Sequence, residues 1–284
     1  MLRSAQSREP GAASPDLATP LDELPLIFLD LETTGLALAA GHRVAEVALL
    51  RVRGAHEEGR LVSMVNPGRP LDPGAAAVNG LSDELLAEAP PFAMLAPALK
   101  QLTAGAVLVG HNVRFDLMFL QHELAACGQP PIAEHCLDTL TLARRLMRRR
   151  SYSLAALASE LGLPAPTHRA LDDALATQAL FAHLVARMAE LGILTLGDAL
   201  RLERGLLPGA GEPEPPPLVA QALAEGRALR ILYRSRGQPA PTARVVQPIT
   251  LTLEGNGVYL QAFCELRQDV RAFALARIEA AELV

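Results

Sequence analysis

"FLDLETTGL", residues 28–36, places two carboxylates in the most strand-like stretch of the N-terminal half of the chain. Asp30 and Glu32 are two positions apart, so on a β-strand both side chains point to the same face. Two like charges on one buried face are costly unless something neutralises them. The spacing alone leaves three interpretations open: solvated acids where a strand emerges at the sheet edge, acids paired with Arg or Lys, or a metal site.

A third carboxylate, Asp116, lies in "HNVRFDLMFL" at the head of a predicted helix. Phe115 and Phe119 are four residues apart and share one face of that helix. An exposed acid near a helix N-terminus would already be favoured by the helix dipole. Asp116 is therefore either a surface acid or a third carboxylate of the same polar site.

The fourth carboxylate, Asp173, lies in "HRALDDALATQALFAHL", and its neighbour Asp172 points elsewhere and is predicted to be solvated. His168 precedes Asp173 by five residues in a loop, where a lone histidine is more often a surface residue than a catalyst. A carboxylate at the end of a core-facing stripe favours a nearby cation. Steps of three and four residues continue that stripe through Thr177, Leu180 and Leu184.

Hard oxygen ligands without cysteine or histidine partners suit Mg²⁺ or Mn²⁺. Carboxylates that hold two such ions about 4 Å apart are a common apparatus for phosphoryl transfer to water. A nearby histidine whose pKa is close to neutrality can take the proton from the attacking water. The four acids and His168 together therefore favour the metal interpretation.

The composition allows a large core and two domains, since half of the 284 residues are hydrophobic. The net charge of −5 counts modestly against a protein that mainly coats nucleic acid, but not against an enzyme that binds phosphate through metal ions. We expect no membrane span and no signal peptide. The scattered cysteines favour a reducing cytoplasm over a disulfide framework or a zinc site: Cys127, Cys136 and Cys264.

The order of predicted elements indicates the α/β class, with a mixed sheet covered by helices and a small, mainly β second domain. The predicted strands are 26–31, 42–53, 60–68 and 106–110. The predicted organisation is a disordered N-terminal segment (1–22), an α/β domain (23–192), a Pro- and Gly-rich linker region (193–217) and a β domain (218–284).

The stretches "FLDLETTGL", "HNVRFDLMFL" and "HRALDDALAT" resemble the three motifs of the DEDDh 3′–5′ exonucleases. That family includes the proofreading epsilon subunit of bacterial DNA polymerase III and has a ribonuclease H-like fold. The resemblance spans about residues 24–190, with Asn79 at a position where a histidine is common.

The resemblance implies a role for each matching position. The metal-site acids would be Asp30, Glu32, Asp116 and Asp173, holding two Mg²⁺ or Mn²⁺ ions, with His168 as the general base. The 3′-terminal nucleotide would meet Thr33, Thr34, Gly35 and Leu36, and the strand path would be lined or supported by His111, Asn112 and Phe115. Asp138 is also typical of the family, but we interpret it as a helix N-cap.

The last part of the chain resembles the WYL domain, a small Sm-like β-barrel, with Val258-Tyr259-Leu260 at the triplet that gives the domain its name. The resemblance makes five side chains candidates for binding phosphate or a single strand: Arg244, Tyr259, Arg267, Arg271 and Arg277. The alternative is that the arginines are solvated and the tyrosine belongs to the core. "RRLMRRR" (144–150) is a second basic segment, either a solvated helix end or a phosphate contact.

The function expected from these resemblances is metal-dependent 3′–5′ exonuclease activity on single-stranded or frayed DNA, in repair or replication. One alternative is a ribonuclease that trims short RNA. Another is a ligand-sensing regulator in which the nuclease fold is only a scaffold. Association with a polymerase is not favoured, because the β domain replaces the polymerase-binding tail expected there.

Overall fold

The apolar run at 26–31 forms the central strand of a five-stranded mixed sheet. In the computed structural model, which describes residues 14–238, 240–254 and 257–284, strand β1 (Pro25–Thr33) pairs antiparallel with β2 (Val44–Arg53), and β2 pairs antiparallel with β3 (His56–Met64). On its other side β1 is parallel to β4 (Val107–Gly110), which is parallel to β5 (Cys136–Asp138). The order is β3-β2-β1-β4-β5.

Helices surround this sheet, which confirms the predicted mixed α/β class. The helices of the described residues up to 203 are α1 (Pro73–Asn79), α2 (Asp83–Ala87), α3 (Phe92–Thr103), α4 (Val113–Ala126), α5 (Thr139–Leu146), α6 (Leu154–Leu161), α7 (Ala170–Glu190) and α8 (Leu196–Glu203). The side chains of β1 are buried on both faces, which explains its unbroken apolar run.

Several elements of this unit were not predicted from the sequence, among them α1, α3 and β5. Helix α3 contains Pro97, and prolines also stand directly before it, so the segment does not have the pattern of a helix. Strand β5 has only three residues, too few to show an alternating pattern. Helix α2 begins at an N-cap that its sequence "LSDELLAEAP" indicates, because the Ser82 hydroxyl accepts the backbone N–H of Leu85 at 3.3 Å.

The residues before β1 differ from the predicted disordered segment. Residues 1–13 lie outside the described residues. In residues 14–22, the Leu17 carbonyl accepts the N–H of Gly197 at 2.7 Å, and the N–H of Leu21 donates to the Leu194 carbonyl at 2.9 Å. Because Leu21 is also buried, the end of segment 1–22 is held in place.

The chain divides into two compact units, residues 1–199 and 200–284. That division falls inside α8, so the predicted linker region 193–217 begins with a helix rather than with extended chain. The predicted domain boundaries stay predictions.

The second unit contains helix α9 (Pro217–Glu225) and a five-stranded antiparallel sheet. Its strands are β6 (Leu229–Tyr233), β7 (Thr242–Glu254), β8 (Gly257–Cys264), β9 (Asp269–Ala274) and β10 (Ile278–Leu283), in the order β10-β6-β7-β8-β9. The sequence "EGNG" (254–257) is typical of a turn, but residues 255 and 256 lie outside the described residues.

The prediction of a closed β-barrel for this unit is wrong. In the described residues β9 and β10 form opposite edges of an open sheet, and a short 3-10 turn (Leu275–Arg277) connects them. Val219 and Ala222 of α9 pack into the same core as the strands. The helix therefore supplies apolar burial that barrel closure would otherwise provide.

No helix in the described part of the chain combines the length and apolar character needed to cross a membrane.

Candidate active site

The end of β1 changes from an apolar to an acidic face. Phe28 packs edge-to-face on Phe181 of α7, with ring centroids 5.8 Å apart. Asp30 and Glu32 follow at two-residue steps and continue the same face of the strand. Glu32 lies opposite Glu46 of β2 in the sheet register, and an irregularity between Glu32 and Thr33 ends the regular pairing.

Asp116 and Asp173 are fixed near this strand end by backbone donors. A side-chain oxygen of Asp116, in the first turn of α4, accepts the N–H of Leu31 at 3.1 Å. A side-chain oxygen of Asp173, in the first turn of α7, accepts the N–H groups of Thr167 at 2.8 Å and His168 at 3.1 Å. The structure therefore brings together the four acids that the sequence singled out.

Burial and mutual repulsion raise the pKa values of these acids. For Asp30 burial is the largest cause, and its pKa lies well above the usual value because Asp116, Asp173, Glu32 and Glu46 repel its negative form.

The pKa values of the other three acids are raised as well. Burial is again the largest cause, and it raises the pKa of Glu32 to about 7 and that of Asp116 to about 8. The pKa of Asp173 is also raised by burial, although its backbone hydrogen bonds act in the opposite direction. A bound cation would favour the charged forms of all four groups.

Two of the acids and His168 form a group that could hold a metal ion directly. Ligand atoms of Glu32, His168 and Asp173 all lie within 4.8 Å of one another. The donor set consists of carboxylate oxygens and one imidazole nitrogen, which fits a divalent cation. Asp30 and Asp116 are close enough to Glu32 to interact with it electrostatically, so their carboxylates belong to the same cluster.

The loop before α7 shapes this group. His168 is exposed and has a φ of 58°, a left-handed conformation that is uncommon for residues other than glycine. The backbone N–H groups of Thr167 and His168 both bind one oxygen of Asp173. Asp172 is exposed and bonds the Thr167 hydroxyl at 2.6 Å, as expected for the solvated neighbour.

The sequence did not single out Glu46, which fixes the start of α7. Its two side-chain oxygens accept the Arg169 guanidinium at 2.8 and 3.1 Å, and one of them also accepts the N–H of Ala170 at 3.1 Å. The same Arg169 lowers the pKa of Glu32. The signal for Glu46 was a lone acid inside the apolar strand sequence "VAEVALL".

Asn79 stands where the family resemblance would often place a histidine. It is buried at the end of α1, and its side chain hydrogen-bonds Glu32 and lowers the pKa of that carboxyl. Its side-chain oxygen accepts the N–H of Leu81 at 3.0 Å. The amide therefore helps to hold the Glu32 carboxyl in place.

The segment 33–36 contains one exposed and several buried side chains. The Thr33 hydroxyl donates to the Gly35 carbonyl at 2.9 Å. Thr34 is fully buried, and its hydroxyl bonds the His42 ring at 3.1 Å. Leu36 is 82% exposed. Its side chain is thus available to a ligand, whereas that of Thr34 holds the turn.

A buried ion pair supports this turn from α4. The Arg43 guanidinium binds both oxygens of Glu123 at 2.6 and 2.7 Å, and the N–H of Val44 donates to the same carboxylate at 3.2 Å. The N–H of Arg43 in turn donates to the Thr34 hydroxyl at 3.1 Å. Glu123 was not recognised from the sequence, because its partner lies 80 residues away.

Of the three predicted strand-path residues, His111 and Phe115 make contacts within the protein, and their roles along a strand stay predictions. His111 uses both ring nitrogens on Thr139 and on the Tyr152 carbonyl, and burial lowers its pKa. Phe115 packs on Phe119 with ring centroids 5.0 Å apart. Only Asn112 is exposed.

Asp138 is the N-cap of α5, as predicted. One of its side-chain oxygens accepts the N–H of Leu140 at 3.1 Å and the N–H of Asn112 at 2.8 Å. The cap therefore also fixes the backbone ahead of α4, where Asn112 has a φ of 67°.

The candidate residues of the second unit do not share one surface. Strand pairing places Arg244 beside Ile231 and Arg271 beside Ala262, on the core-facing side of the sheet. Tyr259 pairs with Thr252 and Ala274 and points to the other side. Arg267 is exposed in the turn before β9 and Arg277 is half-buried after it. Their binding roles stay predictions.

The four acids at the end of the central strand form a candidate metal-binding active site on a mixed α/β sheet. Residues 27–181, more than half of the chain, match the family model described as "Exonuclease". The chain belongs to this exonuclease family, which confirms the resemblance based on the three motifs. Residues 217–283 match the WYL domain model, which confirms the second resemblance.

Relatives with assigned names agree with this family. The chain is 35% identical over 67% of its length to a DNA polymerase III subunit epsilon-like protein of Rhodobacter capsulatus, of which it covers 28%. It is 32% identical over 57% of its length to the DNA polymerase III subunit epsilon of Treponema pallidum, of which it covers 76%. The 3'-5' exonuclease DinG of Bacillus subtilis is 30% identical over 63% of this chain, which covers 19% of it.

Solved structures show the same fold. E. coli Exonuclease I in complex with a dA16 oligonucleotide aligns with 92% of this chain and 63% of its own, at a TM-score of 0.56 and 18% identity. The zinc-bound form of an E. coli ExoI–ssDNA complex aligns with 85% of this chain and 55% of its own, at a TM-score of 0.55 and 20% identity.

Removing one repelling acid should stabilise the metal-free protein. A carboxyl whose folded-state pKa is raised contributes stability below its unfolded pKa and loses it as the pH rises through the folded value, about 8 for Asp116. We expect Asp116→Asn to raise the melting temperature in EDTA at pH 8.5 by about 2–4 °C per kcal/mol of relieved repulsion, and less at pH 5. Thermal scans at both pH values check this.

The matched control is Asp22→Asn, which removes the same charge from an exposed acid ahead of β1. Addition of Mn²⁺ should raise the melting temperature of wild type and of the control more than that of Asp116→Asn. Equal gains in all three proteins would contradict the metal assignment.

The turn after β1 should not tolerate a side chain at Gly35. A Cβ there would lie 2.4 Å from the buried His42 ring, which Thr34 and Asp72 hold in place. We expect Gly35→Ala to lower stability by about 1–3 kcal/mol, the range for overpacking. Gly74→Ala is the control, because a Cβ at Gly74 meets no atom within 4 Å. Thermal unfolding that ranks the two variants equally would refute the clash.

Proposed function

We propose that this protein is a metal-dependent 3′–5′ exonuclease that hydrolyses phosphodiester bonds from the 3′ end of DNA, single-stranded or frayed. The observation that carries the proposal is the convergence of four acids with raised pKa values beside His168. The names of the relatives support the substrate and the direction, because they include polymerase III epsilon subunits and a 3'-5' exonuclease. The chain covers only 28% of the Rhodobacter relative.

The proposed chemistry is a two-metal hydrolysis. Two bound divalent ions, Mg²⁺ or Mn²⁺, would neutralise phosphate charge and supply an activated water. The side chains that would hold them are Asp30, Glu32, Asp116 and Asp173.

The other residues have separate tasks in this proposal. His168 is exposed and its ring nitrogen lies within 4.8 Å of ligand atoms of Glu32 and Asp173, so it can take a proton from water at the site. Leu36 projects from the rigid turn 33–36 and would pack against the terminal base. The turn's backbone would contact the terminal sugar.

We also propose a role in DNA repair or replication, in the cytoplasm and without a fixed polymerase partner. The three cysteines are all free, which agrees with a reducing compartment.

The proposal predicts shortening of a 5′-labelled single strand from its 3′ end in the presence of Mg²⁺ or Mn²⁺. Asp30→Asn should abolish this activity, because it removes a charged ligand while it keeps the size of the side chain. Gel analysis of product lengths on single-stranded, duplex and mismatched DNA and on RNA gives the direction and the substrate. Faster cleavage of RNA would favour the ribonuclease alternative, and no cleavage by wild type would favour the regulator.

His168→Ala should reduce the rate about 10²–10⁴-fold, the range for loss of a general acid–base group. The acidic limb of the pH–rate profile that belongs to the base should disappear with it. His56→Ala is the control, since His56 is an exposed histidine at the start of β3. A profile that keeps its wild-type shape in His168→Ala would exclude His168 as the base.

A further inference from the structure

The basic segment 144–150 borders an open pocket that the proposed chemistry does not use. This pocket has a volume of about 500 Å³, and its lining includes His111, Arg144, Arg150, Tyr152 and Ser153. A second depression of about 420 Å³ shares Arg150 and Ser151 with it and adds Arg148 and Arg149. Arg150 therefore lies where the two depressions meet.

Hydrogen bonds to the backbone hold the wall of this pocket in place. The Tyr152 hydroxyl donates to the Met147 carbonyl at 2.9 Å and accepts the N–H of Arg149 at 3.1 Å. The Tyr152 carbonyl accepts the His111 ring N–H at 2.8 Å. The Arg144 guanidinium lies 5.9 Å from the centroid of the Tyr152 ring, within the range of a cation–π contact.

The charge of the pocket is positive although the chain as a whole is negative. Arg149 is paired with Glu160 at 2.7 Å. Within the described part of the chain, Arg144 and Arg150 form no salt bridge, and both are exposed. Ser153 is the N-cap of α6, so the positive end of that helix dipole also borders the pocket. Such a surface suits an anion with several oxygens.

The sheet register places this pocket beside the acid cluster. β1 and β4 are parallel and pair Phe28 with Val109, so two residues farther along Asp30 lies level with His111. Neighbouring strands are about 4.8 Å apart. The cap residue Asp138, at the end of β5, affects the pKa values of both Asp116 and His111. The pocket thus flanks the acid cluster on the β4–β5 side.

We propose that this pocket binds an internucleotide phosphate of the strand whose 3′ end enters the acid cluster. The bound group lies upstream of the scissile bond, and Arg144 and Arg150 donate hydrogen bonds to its oxygens without a metal ion. The inference rests on the proposed exonuclease function for the identity of the strand. It makes the pocket a determinant of substrate length, because a substrate too short to reach it gains nothing from the two arginines.

Kinetics on substrates of increasing length test this site in the full-length protein. The p-nitrophenyl ester of thymidine 5′-monophosphate has a single phosphate, whereas oligothymidylates of two to eight nucleotides add internucleotide phosphates. For wild type, KM should fall at the length that first reaches the pocket. Arg144→Gln and Arg150→Gln should each raise the KM for substrates of that length or longer about 10–100-fold, the range for loss of a hydrogen bond to a charged group. Neither variant should change the hydrolysis of the p-nitrophenyl ester.

Binding without metal separates this site from the catalytic proposal. Fluorescence anisotropy of a labelled single strand in EDTA should show weaker binding by Arg144→Gln and Arg150→Gln. The slope of log affinity against log salt should fall by about 0.7 for each lost phosphate contact. Arg187→Gln is the control, since it removes an exposed arginine of α7 that lies outside both depressions.

The outcomes separate the two proposals. If wild type cleaves no substrate but the two pocket variants bind the strand more weakly than the control, the exonuclease proposal fails and the phosphate site stands. The site is refuted if both pocket variants bind like wild type in EDTA, or if they lose hydrolysis of the p-nitrophenyl ester in parallel with that of the oligonucleotides.

Discussion

Repulsion among buried carboxylates at the end of β1 is the constraint on which the rest of the site depends. Three of the four acids are each held in place by a hydrogen bond from another part of the chain. The N–H of Leu31 holds Asp116, the loop before α7 holds Asp173, and Asn79 holds Glu32. Because these supports keep the acids together in a desolvated site, burial first and mutual repulsion second raise their pKa values. Cation affinity and fold stability are therefore coupled.

The same logic explains the supports farther from the acids. The Glu46–Arg169 pair fixes the first turn of α7, which determines where His168 and Asp173 lie. The Arg43–Glu123 pair fixes the turn that presents Leu36. In both pairs the buried carboxylate is on a core element and accepts a backbone N–H as well as a guanidinium. These ion pairs set geometry, a role that a well-packed apolar pair would not fulfil.

The sequence was sufficient for the parts of the site that follow from local spacing. The step from Asp30 to Glu32, the apolar stripe beyond Asp173 and the cap at Asp138 all depend on residues within one element. The supports Glu46 and Glu123 could not be predicted, because their partners are 123 and 80 residues away and nothing local indicates the pairing. Strand alternation predicted the strands of the second unit. It contains no information on whether the edge strands pair with each other, so the prediction of a closed barrel was wrong.

Under the proposed function, the separation of charge within the first unit explains how a chain of net charge −5 would accept a polyanion. The acid cluster repels phosphate until cations occupy it, so binding there depends on metal. In the proposed phosphate site, Arg144 and Arg150 would attract phosphate without metal, and His111 at the end of β4 lines the same pocket. Under the proposed function, a strand would be held by its upstream phosphate before its 3′ end is committed to the metals. Net charge is therefore a poor guide for this chain, because the local field decides binding.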